Sequence, residues 1–212
     1  MIIAIDGSAA SGKGTLAKRL AKHFGLSHLD TGALYRAVGL QLLNGGKNPE
    51  NIDHNQCVKS CFGLDITLTT SPLIRSEKVA EMASVVAAIP AVRAALLDLQ
   101  RQFAAAPPDP NGAVLDGRDI GTMVLPNADI KFFIDADIHT RADRRTKELL
   151  QSGQSVMFRD VLIDMQERDT RDRSRSASPL RPADDAIIID TSEMDAESVM
   201  AFALSHITAC CG

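Results

Sequence analysis

Residues 7–15, Gly-Ser-Ala-Ala-Ser-Gly-Lys-Gly-Thr, leave the chain few ways to fold. They follow Ile2-Ile3-Ala4-Ile5, a short β-rich apolar run that reads as a buried strand. Leu16, Ala17, Leu20, Ala21 and Phe24 come next at helical spacing, with Gly25 as a stop. A glycine loop between a buried strand and a helix aims several backbone N–H groups at one point, and the helix dipole adds positive potential there. Gly7 and Gly12 permit the tight curl, and Lys13 supplies a cation for β- and γ-phosphates.

The loop departs from the usual pattern, in which Ser or Thr directly follows the lysine. Gly14 holds that place and Thr15 comes one residue later. One step along a helix rotates a side chain by about 100° and advances it about 1.5 Å. Thr15 is therefore aimed at an α-phosphate oxygen or a magnesium-bound water.

Beyond the loop, Ser27–Asp30 reads as a second strand, and Thr31 as the cap of a helix ending by Gly45-Gly46. Ile66–Thr69 alternates like an exposed strand, and the stretch 64–75 has room for two short ones. Helical patterns run from about Glu77 to Phe103, broken at Pro90, and Ala106–Gly112 interrupts any element. Three further buried-strand runs, 113–115, 131–134 and 186–189, are each followed closely by an aspartate: Asp116, Asp135 and Asp190. Helical patterns cover about 139–151, 155–172 and 195–209. Apolar strands alternating with helices imply an α/β fold with a parallel sheet covered on both faces, and ligands at the carboxyl ends of its strands.

Composition narrows the class. A single domain of this length buries about 70% of its unfolded surface, so 212 residues need no staples. A net charge of −4 argues against a general nucleic-acid surface. No apolar run reaches the ~18 residues of a membrane span, and Met1–Asp6 lacks a cationic leader start. Cys57, Cys61, Cys210 and Cys211 fit neither a zinc set nor a disulfide framework, so reduced thiols and a cytoplasmic setting are expected. The five histidines show no metal-ligand spacing and are expected at the surface, without a catalytic role.

The GKGT variant of the loop resembles that of the nucleoside monophosphate kinases. Four further stretches sharpen the resemblance: residues 29–36 (LDTGALYR), 83–93 (ASVVAAIPAVR), 116–122 (DGRDIGT) and 167–175 (ERDTRDRSR). In this order they resemble the bacterial cytidylate kinase family of P-loop enzymes over nearly the whole chain. That resemblance implies a P-loop kinase fold with a five-stranded parallel sheet, a core of 1–30 and 112–212, an acceptor-binding region 31–111 and a lid at about 152–176. It implies transfer of a phosphoryl group from ATP to CMP or dCMP with Mg2+, in a monomer that binds small nucleotides and neither nucleic acid nor membrane.

The resemblance assigns Gly7, Ser8, Ala9, Ala10, Ser11, Gly12, Lys13, Gly14 and Thr15 to ATP, with Arg141 stacked on adenine and Arg145 on the phosphates. It puts Ser84, Arg93 and Asp119 at the acceptor base, and Arg36 and Arg118 at its phosphate, with Thr31 and Tyr35 beside them. Arg168 and Asp172 fall to the sugar hydroxyls and Arg175 near the nucleotide. Asp116 and Thr15 are the magnesium candidates, directly or through water. Lys13, Arg118, Arg168 and Asp172 are the expected catalytic groups.

Physical chemistry runs parallel. A carboxylate can accept from the cytosine N4 amino group, whereas uracil would oppose its O4 acceptor to that carboxylate. Arg168, Asp172 and Arg175 recur at helical spacing on one stripe. The 167–175 stretch carries four arginines against three acids, which suits a closing pocket better than a phosphate-tracking surface. Asp172 is expected to touch ligand and not core, so that its loss spares the fold. The rivals are a UMP or dTMP kinase, and a nucleotide-gated binding protein that closes on ATP without transfer.

Overall fold

The computed structural model describes residues 1–211, and side chains through Thr208; the expectation for Cys210 and Cys211 lies outside the described side chains. Five parallel strands form one sheet: β1 (Ile2–Gly7), β2 (Ser27–Asp30), β3 (Ala113–Gly117), β4 (Ile130–Asp135) and β5 (Ile187–Asp190). Their order is β2-β3-β1-β4-β5, so β1 is central and the chain moves to opposite sides of it through β3 and β4. Such a switch opens a crevice at the carboxyl ends of the strands. Register concentrates acids there: Asp30 pairs with Asp116 and Asp135 with Asp190.

The helices are α1 (Lys13–Phe24), α2 (Thr31–Asn44), α3 (His54–Phe62), α4 (Glu77–Val86), α5 (Pro90–Ala105), α6 (Ile138–Gln151), α7 (Phe158–Ser174) and α8 (Ala196–Cys211). Ile3, Ile5, Phe132 and Ile134 of the sheet pack with Leu16 and Leu20 of α1 and Val199, Ala203 and Ile207 of α8. Ala4, Leu115 and Ala113 face Ala104 of α5 and Ile120 on the other side. The 31–111 segment gathers a core of its own from Leu34, Val38, Cys57, Met82, Val86 and Leu96. Cys57 and Cys61 are buried free thiols, each pushed up by burial. Among the described residues no single helix is long and apolar enough to cross a membrane.

Three local expectations give way. Asp30, not Thr31, caps α2, its carboxylate accepting from the Ala33 N–H at 3.1 Å. The Thr31 hydroxyl is drawn instead to the Asp116 carbonyl at 2.8 Å, tying α2 to β3. The stretch 64–75 forms two 3-10 turns, Ile66–Thr70 and Pro72–Arg75, and no strand. Asp65 and Ser71 start those turns by accepting from Thr67 N–H and Leu73 N–H, and the Thr69 and Thr70 hydroxyls return to carbonyls three residues back. These local bonds give the backbone an alternative to a ladder. Finally, α7 ends at Ser174, so Arg175 is extended backbone beyond the helix, not its last turn.

Candidate functional site

The loop that opens α1 is built around two glycines with different constraints. Gly7 adopts φ +155°, and a Cβ there would lie 2.0 Å from the Ile134 carbonyl oxygen of the neighbouring strand. Gly12 sits left-handed at φ +93° as the N-cap of α1 with open space around it. Ala10, at φ +56°, is a non-glycine residue in the left-handed region, of the kind that clusters at ligand clamps. The side chains of Ser8 and Ser11 are fully buried, so this loop presents its backbone. Ser8 Oγ donates to Asp135 at 2.8 Å, and Thr191 Oγ1 donates to the Ser11 carbonyl at 2.9 Å. Lys13 Nζ donates to the Ser8 carbonyl at 3.1 Å.

A cavity of about 230 Å³ lies over the carboxyl ends of β1 and β3. Ala9, Ala10, Lys13 and Gly14 of the loop wall one side, and Thr31, Tyr35 and Arg36 of α2 another. Ser84 comes from α4 and Arg93 from α5; Asp116, Arg118 and Asp119 follow β3; Arg145 reaches in from α6. Arg168 and Asp172 of α7, with Arg175, close it. Residues spread over some 160 positions of sequence thus share one space with Lys13.

Cations crowd this space. Burial, then Arg118, lowers the Lys13 ammonium to about 7. Burial, again with Arg118, brings the Arg168 guanidinium down to about 9. Arg36 and Arg175 are lowered from the usual arginine range, chiefly by burial. Asp172 is the main local counter-charge: it accepts from Arg118 Nε at 2.9 Å and lies 3.8 Å from Arg175. Burial would raise its carboxyl, but Arg118 and Arg168 outweigh that and hold it below the usual range. Asp172 is therefore a buried structural partner as well as a cavity residue, contrary to the expectation that it touches ligand alone.

Asp119, 6% exposed, pairs with Arg93, and the Arg93 guanidinium carbon sits 5.5 Å from the Tyr35 ring centroid. Burial pushes the Tyr35 phenol up. Several buried polar atoms here have no protein partner: Ser84 Oγ, Arg93 Nε, Arg168 Nε and Arg175 Nη2. Native structures rarely strand such atoms, and four of them around one cavity point to a polar ligand.

A second cavity of about 530 Å³ continues past Lys13, lined by Gly12, Thr15, His28, Arg144 and the segment 194–196. Thr15 faces this space and not the first, and Asp116 borders both. Arg141 borders neither. It is 3% exposed, its guanidinium paired with Asp169 and donating to the Ala9 and Ala136 carbonyls, so it braces the loop where adenine stacking was expected. Arg144, missed in the sequence, stands at the second cavity, donating to Thr191 Oγ1 and O. Arg145 pairs with Glu77 and Glu148.

Histidines were expected to be superficial, yet His28 is partly buried with Nε2 2.7 Å from Asp116. Nothing within β2 signals this, because the partner lies on β3, 88 residues away. Among the described residues no cluster of three acidic, histidine or cysteine side chains could hold a metal alone. Asp116 is 3% exposed and stands 3.6 Å from where a Gly14 Cβ would be, beside the loop. One carboxylate beside a phosphate cradle suits Mg2+, which keeps waters and takes its other ligands from substrate phosphates.

Comparison with known proteins finds relatives over nearly the whole chain. The family model described as Cytidylate kinase matches residues 3–209. A protein named cytidylate kinase from Rhodopseudomonas palustris is 53% identical over 209 residues, covering 99% of this chain and 96% of that protein. Another of that name, from Methylocella silvestris, is 53% identical over 204 residues, covering 96% and 92%. Among solved structures, an uncharacterised protein from Eubacterium ventriosum aligns with TM-score 0.54 at 17% identity over 99% of both chains, a likeness of fold alone.

Proposed function

The chain belongs to the cytidylate kinase family, phosphotransferases acting on CMP, and we propose that it moves the γ-phosphoryl group of ATP in line onto CMP or dCMP in the first cavity. The reading is carried by the four unpartnered buried atoms of Ser84, Arg93, Arg168 and Arg175, residues that line the same cavity as Lys13 and Asp116. The UMP, dTMP and gating alternatives are not favoured by the relatives.

On this reading the loop amides and Lys13 hold the donor phosphates, with Thr15 and Arg144 on the donor side of the crevice. Arg36 and Arg118 grip the acceptor phosphate, since a guanidinium fork suits a tetrahedral oxyanion. Asp119 accepts from cytosine N4 while Arg93 and Ser84 donate to its acceptor edge. A uracil would leave two acceptors opposed in a buried site, which is strongly disfavoured. Arg168, Asp172 and Arg175 fix the sugar side.

The acceptor is a phosphate monoester whose second pKa is about 6, so it arrives largely dianionic and no general base is needed. Catalysis then rests on alignment and on charge stabilisation by Lys13, the loop amides and the arginines. Mg2+, held by Asp116 and Thr15 together with phosphate oxygens and water, would neutralise charge on the β- and γ-phosphates. We assign the segment 152–176, which includes α7, to a lid that excludes water when both nucleotides are bound. We further place the enzyme in the cytoplasm as a monomer.

An ADP-release assay across CMP, dCMP, UMP, AMP and GMP tests the proposal. CMP and dCMP should be turned over far faster than the rest; equal turnover of UMP and CMP would refute the Asp119 reading.

A further inference from the structure

Asp6 is the residue immediately before the glycine loop, and nothing in the phosphate-loop chemistry uses it. Its carboxylate is 3% exposed and serves a different segment. One oxygen accepts the Ile120 N–H at 2.7 Å and the other accepts the Gly121 N–H at 2.8 Å. Those two peptides open the π-turn Ile120–Val124, whose first flanking residue is Asp119. The Asp119 carbonyl in turn accepts from Met123 N–H and Val124 N–H, so Asp119 is the backbone anchor of the turn.

A single π-turn is an uncommon piece of backbone, frequent at functional sites. Here it is gripped from two strands. Asp6 holds it on β1. On β4, the Lys131 side chain passes 3.1 Å from the position of a Gly121 Cβ, its ammonium fixed by the Pro126 carbonyl at 2.6 Å and by Asp185 at 2.8 Å. The Asp119 carboxylate emerges from this fixed base to meet Arg93.

From these contacts we infer that Asp6 is a positioning residue for acceptor recognition: its two backbone bonds hold the Asp119 turn in the register at which Asp119 meets the base. The same strand runs directly into the loop bearing Lys13, so acceptor discrimination and donor binding are built on one rigid support. The inference rests on the proposed role of Asp119.

Asp6→Asn separates positioning from a merely structural role. It keeps volume but turns an amide N–H₂ toward one peptide N–H, donor against donor. With purified full-length variant and wild type, KM and kcat are measured for CMP, UMP and ATP. The expected result is a rise of about tenfold or more in KM for CMP, a similar collapse of the CMP-over-UMP preference, and a KM for ATP within about twofold of wild type. Loss of active protein with both KM values unchanged, or a rise in the ATP KM matching that for CMP, overturns the inference.

Amide exchange in the wild type supplies a measurement independent of any variant. The Ile120 and Gly121 amides should exchange as slowly as those of β1, and exchange at loop rates overturns the inference. A wild type that turns over UMP and CMP alike would instead bring down the Asp119 reading and this inference with it.

Discussion

Asp172→Ala is the perturbation on which the architecture of the cationic cavity bears most directly. The carboxylate is 10% exposed at its side chain and its partner Arg118 15%, so solvent screens neither much. Removing it leaves Arg118, Arg168 and Arg175 facing one another with their main counter-charge gone. Breaking a buried pair by removing one partner costs about 3–5 kcal/mol. For a chain of this length each kcal/mol shifts Tm by about 2–4 °C, so the apo variant should melt about 6–20 °C below wild type.

The assay is scanning calorimetry of apo wild type, Asp172→Ala and the double variant Asp172→Ala/Arg118→Met. The double variant should recover part of the loss, because it also removes a stranded cation. The sign of the pH dependence is fixed by the lowered carboxyl: its contribution is present above the unfolded value of about 3.9 and is lost as pH falls through the folded value. The gap between wild type and variant should therefore close in acid. An apo Asp172→Ala within about 2 °C of wild type, or a gap that persists in acid, would refute the reasoning and return Asp172 to a purely ligand-facing role.

Asp119→Asn offers uracil O4 a donor, so kcat/KM for CMP should fall by about 10–150-fold while that for UMP holds or rises; an unchanged CMP-to-UMP ratio would contradict this. Lys13, near 7 in the apo protein, should recover its proton on meeting phosphate. Binding of ATP at about pH 8 should then take up nearly one proton, seen as a buffer-dependent enthalpy in titration calorimetry; no dependence on buffer ionisation would rule it out. Gly12→Ala should fold with a loss of about 1–3 kcal/mol, since only its left-handed φ objects. Gly7→Ala drives a Cβ to 2.0 Å from a strand carbonyl and should abolish soluble folded protein; similar melting of the two variants would show the loop geometry to be wrong.

Sequence alone determined whatever depends on near neighbours. Strand, glycine loop and helix at 2–24 follow from local periodicity and from glycine's freedom at positive φ, and the helix break at Pro90 from its ring. The apolar strands between helices gave the parallel sheet, and five ordered motifs gave the family. Tertiary structure decided what the side chains do once distant segments meet. No pattern within α7 says that Asp172 is locked against Arg118, 54 residues away, or within β2 that His28 reaches Asp116, 88 residues away. Arg141 and Arg145 share one helix and one spacing, yet Arg141 was buried beneath the loop and Arg145 reached the cavity. Nor could alternation at 66–69 reveal a strand without a partner, for a ladder needs a second chain segment, while the turn needed only Asp65 and Ser71. Local preference is a property of a few consecutive residues; burial and charge pairing belong to the packed whole.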